Sequence, residues 1–184
     1  MDRKTWKECI DRLGGLTPLP LEEFVPLPVE ELEAIEAKCR ARLPDDYREF
    51  LATYGSATFS RLVSIRSDGP LSPLLSDDGL LPFGEFYGTV RFADRCPSVL
   101  SCIDNFHGDI PDGLLPIANG WQDDQICIGM SGEQRGRVFY YDSQSMDDGG
   151  DDEAGVQFPF TYHIADSFTD LLNRMEPSKV DDAE

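Results

Sequence analysis

Two short runs of alternating side chains, separated by a polar turn, constrain this chain more than any other feature. From Gln125 to Met130, the side chains of Ile126, Ile128 and Met130 share one face. From Arg137 to Asp142, Val138 and Tyr140 share one face, and Phe139 and Tyr141 share the other. A period of two is the mark of a β-strand. Ser131–Gly136 is polar, holds two glycines and reads as the turn between them. Apolar groups on both faces of the second run predict a hairpin in the middle of a sheet.

Upstream the period is helical. Trp6, Cys9, Ile10 and Leu13 recur at i, i+3, i+4 and i+7, and Gly14-Gly15 stops that helix. Residues 16–28 hold four prolines and show neither periodicity, so they read as an irregular connector. A second helix, about Val29 to Ala41, should bury Val29, Leu32, Ile35 and Cys39. Its acids Glu30, Glu31 and Glu33 come early and its bases Lys38, Arg40 and Arg42 late, as the helix dipole favours. Leu43-Pro44-Asp45-Asp46-Tyr47 starts a third helix, because proline at the first position lacks only an N–H that would be unpaired anyway. Tyr47, Phe50, Leu51 and Tyr54 form its apolar face, and Gly55 ends it. Helices this short need something apolar to cover.

From Thr58 the period changes. Phe59, Arg61, Val63 and Ile65 alternate with Thr58, Ser60, Leu62 and Ser64 and predict one strand with one mainly buried face. Residues 67–79 read as a loop, Leu80–Tyr87 and Thr89–Phe92 as short extended pieces, and Ser98–Phe106 as a helix. Leu114–Ala118 is a strand whose Pro116 suggests a sheet edge or a strand end. The glycine-rich acidic stretch Asp147–Gly155 has nothing to bury and reads as a loop. Phe158–Tyr162 would be the last strand. Ser167-Phe168-Thr169-Asp170 resembles a capping box for a closing helix that buries Phe168, Leu171, Leu172 and Met175. Pro177 would end that helix and leave a frayed tail at 177–184. The expected architecture is one α+β domain over 1–184, with its core at about 29–175. A mostly antiparallel sheet would be covered by the N-terminal helices, with a closing C-terminal helix.

Charge narrows the function. Thirty-five acids against sixteen bases leave a net charge of −19, and residues 101–184 hold eighteen of the acids with only four bases. Such a chain is repelled by phosphate backbones and anionic membranes, which argues against nucleic-acid binding and membrane association; it attracts basic proteins. Spread over ~9,000 Å² of surface, that charge puts only about two units on an ~800 Å² patch, so steering a partner requires clusters. Asp123, Asp124, Asp142, Asp147, Asp148, Asp151 and Asp152 supply them around the hairpin. Trp121, in the turn before it, is an aromatic anchor for an interface or a core residue. Five scattered cysteines do not suggest a disulfide framework and suit a reducing cytoplasm. The charged start Met1–Glu8 lacks a signal peptide's apolar stretch, and no apolar run approaches the ~20 residues of a membrane span.

Four segments, in order, resemble the SUKH superfamily, which includes fungal cell-wall assembly regulators and bacterial toxin-immunity proteins. They are Leu43-Pro44-Asp45-Asp46-Tyr47-Arg48-Glu49-Phe50-Leu51 with Tyr54-Gly55; Leu115-Pro116-Ile117-Ala118; Gly136-Arg137-Val138-Phe139-Tyr140-Tyr141-Asp142; and Ala165-Asp166-Ser167-Phe168 with Leu171-Leu172. Their order and rough spacing match the superfamily over residues 29–175. Tyr54-Gly55-Ser56 stands where members often carry Asn-Gly-Gly. The resemblance implies an α+β protein-binding scaffold, most often an immunity protein that binds a cognate toxin, with no shared catalytic motif.

Motifs for chemistry are missing. Cys96-x5-Cys102-x4-His107 does not have zinc-ligand spacing. Asp142–Glu153 has the length of a calcium loop but offers Gln144, Met146 and Asp147 at its third, fifth and sixth positions. Neither a nucleophile elbow nor a phosphate-binding glycine loop occurs. The expectation is a non-enzymatic binding module without cofactors that neutralises a basic, nucleic-acid-acting toxin. The alternatives are a regulatory scaffold for cytosolic signalling partners, or a small enzyme gathering His107 or His163 with Cys102. Oligomeric state is not specified by the sequence.

Overall fold

The structure, a computed structural model, describes residues 3–20, 22–69, 78–92, 97–120, 122–143 and 160–178. The side chains of residues 3–7, including that of Trp6, lie outside this set.

The predicted hairpin is present as β7 (Gln125–Gly129) and β8 (Val138–Tyr141), paired antiparallel with Ile126 opposite Tyr140 and Ile128 opposite Val138. Around it lies a seven-stranded antiparallel sheet in the order β1-β2-β5-β6-β7-β8-β9. Its other strands are β1 (Leu16–Pro18), β2 (Ala57–Phe59), β5 (Glu85–Phe86), β6 (Leu114–Asn119) and β9 (Thr161–Ala165). A second antiparallel sheet of three strands, β10-β3-β4, is built from β3 (Val63–Arg66), β4 (Leu80–Pro82) and β10 (Met175–Pro177). Helices α1 (Arg3–Arg12), α2 (Val29–Cys39), α3 (Asp45–Leu51), α4 (Val99–Asn105) and α5 (Phe168–Arg174) complete the described α+β fold. One core cluster joins the helices to one sheet face: Leu13, Leu32, Ile35, Tyr47, Phe50 and Phe168 pack with Ile117, Ile126, Ile128 and Tyr140. A smaller cluster of Ile110, Cys127 and Tyr141 occupies the opposite face.

Motifs far apart in sequence meet here. The Asp46 carboxylate at the start of α3 accepts hydrogen bonds from Thr169 N (2.9 Å) and Thr169 Oγ1 (3.0 Å) at the start of α5. It thereby satisfies an orphan donor of a helix it does not belong to. The Tyr47 and Phe50 rings each lie 5.0 Å from Phe168, and Phe50 lies 4.7 Å from Phe86. Ser167 caps α5 by accepting from Asp170 N, and Asp170 in return accepts from Asp166 N. The reciprocal bond therefore lands one residue before the cap.

Several expectations are corrected. Leu16–Pro18, assigned to an irregular connector, forms the sheet-edge strand β1; three residues are too few for a period to show. The strand expected across 58–65 is two strands in two sheets, with Arg61 exposed between them. Continuing the alternation would have buried a guanidinium, which is costly without a partner. Thr89–Phe92 is not extended: Val90–Phe92 forms a 3-10 turn held by Glu31, whose carboxylate accepts from Thr89 Oγ1 (2.8 Å) and Val90 N (2.5 Å). That bonding draws Glu31 inside, while Val29, expected in the core, is 56% exposed. Pro116 lies in β6, between β5 and β7, rather than at an edge. It is tolerated because the β5 ladder reaches only Ala118 and the register against β7 shifts between Pro116 and Ala118. Met175 is buried as expected, but in β10 instead of the closing helix. The chain at 177–178 is not frayed, since Ser178 N donates to Leu62 O. The strand expected over 158–162 is β9, described from Thr161 and followed by β10; Phe158, the loop 147–155 and residues 179–184 lie outside the described residues.

Candidate functional site

The hairpin end was the expected site. Asp123 and Asp124, in the turn between β6 and β7, are adjacent in sequence and opposite in environment. Asp123 is exposed. Asp124 is 2% exposed, and its carboxylate accepts from Ser143 N (2.9 Å), Ser143 Oγ (3.0 Å) and Tyr140 Oη (3.0 Å). Burial pushes its carboxyl above the usual aspartate range even though those three donors pull it down. Asp142, at the end of β8, is also 2% exposed. Asp124 fastens the turn to the end of β8, and both residues are buried, so neither presents its charge outward as the cluster expected from the sequence would. Trp121, Asp147, Asp148, Asp151 and Asp152 lie outside the described residues. Of the eight sequence candidates, Asp123 is the one that is both described and exposed.

A cleft that sequence reading missed lies elsewhere, between the C-terminal end of α2, α4, the 107–113 turn and the start of β6. It encloses about 460 Å³. Cys102, Leu115 and Met130 are buried at its base, while Cys39, Ile103, Phe106 and Leu114 are half-buried along its walls. Each wall has a local cause. Arg40 takes a left-handed conformation (φ 53°) that ends α2 and returns its N–H to Ala37 O. A full capping box between Ser98 and Ser101 starts α4. The turn after α4 is held by Asp109 N and Ile110 N donating to Phe106 O, and by Tyr141 Oη donating to Asp109 O at 3.1 Å. Lys38 Nζ and Asp104 Oδ1 join α2 to α4 at 2.5 Å. The signal for this cleft was present in the register of Cys102, Ile103 and Phe106, but three side chains on one helical face do not reveal whether that face is fully covered.

The cleft's thiols are not nucleophiles at neutral pH. Burial pushes Cys39 up to about 11 and Cys102 up to about 12, so each stays protonated. His107 is exposed at the rim, whereas His163 sits on β9, with its ring 5.7 Å from Phe139 and Nε2 3.3 Å from Asp166 Oδ1. Burial and the nearby Arg137 charge lower the His163 pKa, leaving it neutral at pH 7. Among the described residues no group of three or more His, Cys, Asp or Glu could hold a metal ion. No helix among them is long and apolar enough to cross a membrane.

A family model, SMI1/KNR4 family (SUKH-1), matches residues 26–174, a span that contains all four motif segments. The SPbeta prophage-derived uncharacterized protein YokK of Bacillus subtilis (strain 168) is 26% identical over 124 residues, covering 62% of this chain. The match likewise spans 62% of the relative's own length.

Proposed function

Because this chain belongs to the SMI1/KNR4 family (SUKH-1), we propose that it is a non-enzymatic protein-binding module and that its role is immunity. It binds a cognate toxin domain in the cytoplasm and covers the surface that the toxin uses. The family match over 26–174 carries this reading. The net charge of −19 supports it and sets the chemistry of the partner. A toxin that grips phosphate must be basic where it does so, and an acidic protein competes for that surface. Association between opposite charges is fast and salt-sensitive, which suits an inhibitor that must act before its target does.

Co-expression tests the reading. A toxin encoded beside this chain should kill its host when expressed alone and spare it when this protein is present. Purified, the two should associate with a rate constant that drops by about tenfold or more from low to high salt. Protection without a physical complex would refute direct neutralisation. A complex whose association rate ignores salt would refute charge steering while leaving the binding intact.

A further inference from the structure

The cleft between α2 and α4 has the anatomy of a receptor for one anchoring side chain. Its 460 Å³ falls within the roughly 300–1,000 Å³ of ligand pockets, and its lining is mixed, apolar at the buried base and polar at the exposed mouth. The mouth is divided in charge. Lys38 is already neutralised by Asp104. That leaves Arg40 on the α2 side and exposed Asp112 on the β6 side. We propose that this cleft takes a large apolar side chain, aromatic by preference, from a basic segment of a protein partner. Asp112 receives the lysine or arginine beside that anchor.

The shape and chemistry of the site argue for this occupant. The Phe106 ring and the Met130 thioether offer aromatic and sulfur–aromatic contacts, and the Arg40 guanidinium can lie over a ring entering the mouth. The 107–113 turn is already fixed from both sides, by Tyr141 Oη on Asp109 O and by Met130 N on Gly113 O, so little ordering is left for binding to cost. The basic sign of the partner rests on the immunity reading and on the charge of −14 carried by residues 101–184. The aromatic anchor does not depend on that reading.

The test uses the full chain and three capped dipeptides, N-acetyl-Trp-Lys-amide, N-acetyl-Trp-Glu-amide and N-acetyl-Gly-Lys-amide, followed by backbone amide NMR. The Trp-Lys probe should shift resonances at 102–116 and Met130, and should bind about fivefold more tightly than Trp-Glu, as an exposed ion pair allows. The Gly-Lys probe should leave them unmoved. Ile103→Arg should abolish the shifts. Should that variant lose its circular dichroism signal, Asp112→Lys on the exposed rim must still reverse the preference between the two Trp probes. Equal binding of all three probes, or shifts confined to another surface, overturns the inference.

A co-encoded toxin separates this inference from the one before it. If the wild-type chain binds the toxin, Ile103→Arg should weaken the complex by about 30-fold or more, the loss expected of a central anchor. Unchanged binding by folded Ile103→Arg and Asp112→Lys would sink the cleft inference alone. No complex with the wild-type chain, together with Trp-Lys seated in the cleft, would sink the immunity reading and leave the cleft standing.

Discussion

Two helix–helix junctions rest against the same sheet and are closed in different ways. Where α3 meets α5, the joint is sealed by rings and by a shared carboxylate: Tyr47 and Phe50 pack on Phe168, and Asp46 bonds both Thr169 N and Thr169 Oγ1. Where α2 meets α4, the described hydrogen bond between the helices is Lys38–Asp104, and a 460 Å³ cleft remains beside it. Asp46, Tyr47, Phe50 and Phe168 of the first junction all fall in the motif segments, whereas Lys38 and Asp104 of the second do not, although Leu115 and Pro116, which line its cleft, do.

This contrast predicts an ordered set of stability effects, measurable by denaturant unfolding. Phe168→Ala should cost about 3–5 kcal/mol, because it removes a fully buried ring from the centre of the sealed joint. Asp46→Ala should cost about 2 kcal/mol, since it leaves Thr169 N and Thr169 Oγ1 without their charged acceptor. A loss below about 0.5 kcal/mol in Asp46→Ala would mean that packing alone seals the joint. Tyr47→Phe should go the other way and stabilise by about 1 kcal/mol, because the Tyr47 hydroxyl is buried with no hydrogen-bond partner among the described residues. A destabilised Tyr47→Phe would show that the hydroxyl has a partner, such as a water. The smallest effect belongs to the open junction. Lys38→Ala should change stability by about 0.5 kcal/mol or less, as for other exposed ion pairs. A cost rivalling that of Asp46→Ala would erase the contrast between the two joints.

Side chains that act on their own neighbours were legible in the sequence. The alternation at 125–130 and 137–142 placed Ile126, Ile128, Val138 and Tyr140 on the core face, where they are buried. Ser167 does cap the helix that follows it, as its pattern predicts, while Ser98, read as the first residue of its helix, is in fact the cap. Side chains that act across the fold were not legible. Glu31 looked like a residue placed for the helix dipole, but it is buried because a turn 58 residues later supplies its donors. Asp124 looked like one of a run of surface acids, but Tyr140 and Ser143 draw it inside while Asp123 stays outside. The cleft follows the same rule, since its walls come from α2, α4 and β6, and no one of them shows a gap by itself.

Sequence alone determined where the long-period helices and the β7–β8 hairpin lie and how much negative charge the chain must carry, though not the short strands β1 and β10 or the 90–92 turn, because propensity, period and ionisation are properties of residues and their near neighbours. Tertiary structure decided which carboxylates that charge includes, where Arg61 breaks a strand into two, and where the helices fail to close over the sheet. Those outcomes depend on which donors and apolar surfaces meet after chain segments tens of residues apart have been brought together. Burial, unlike period, is a property of that assembled whole.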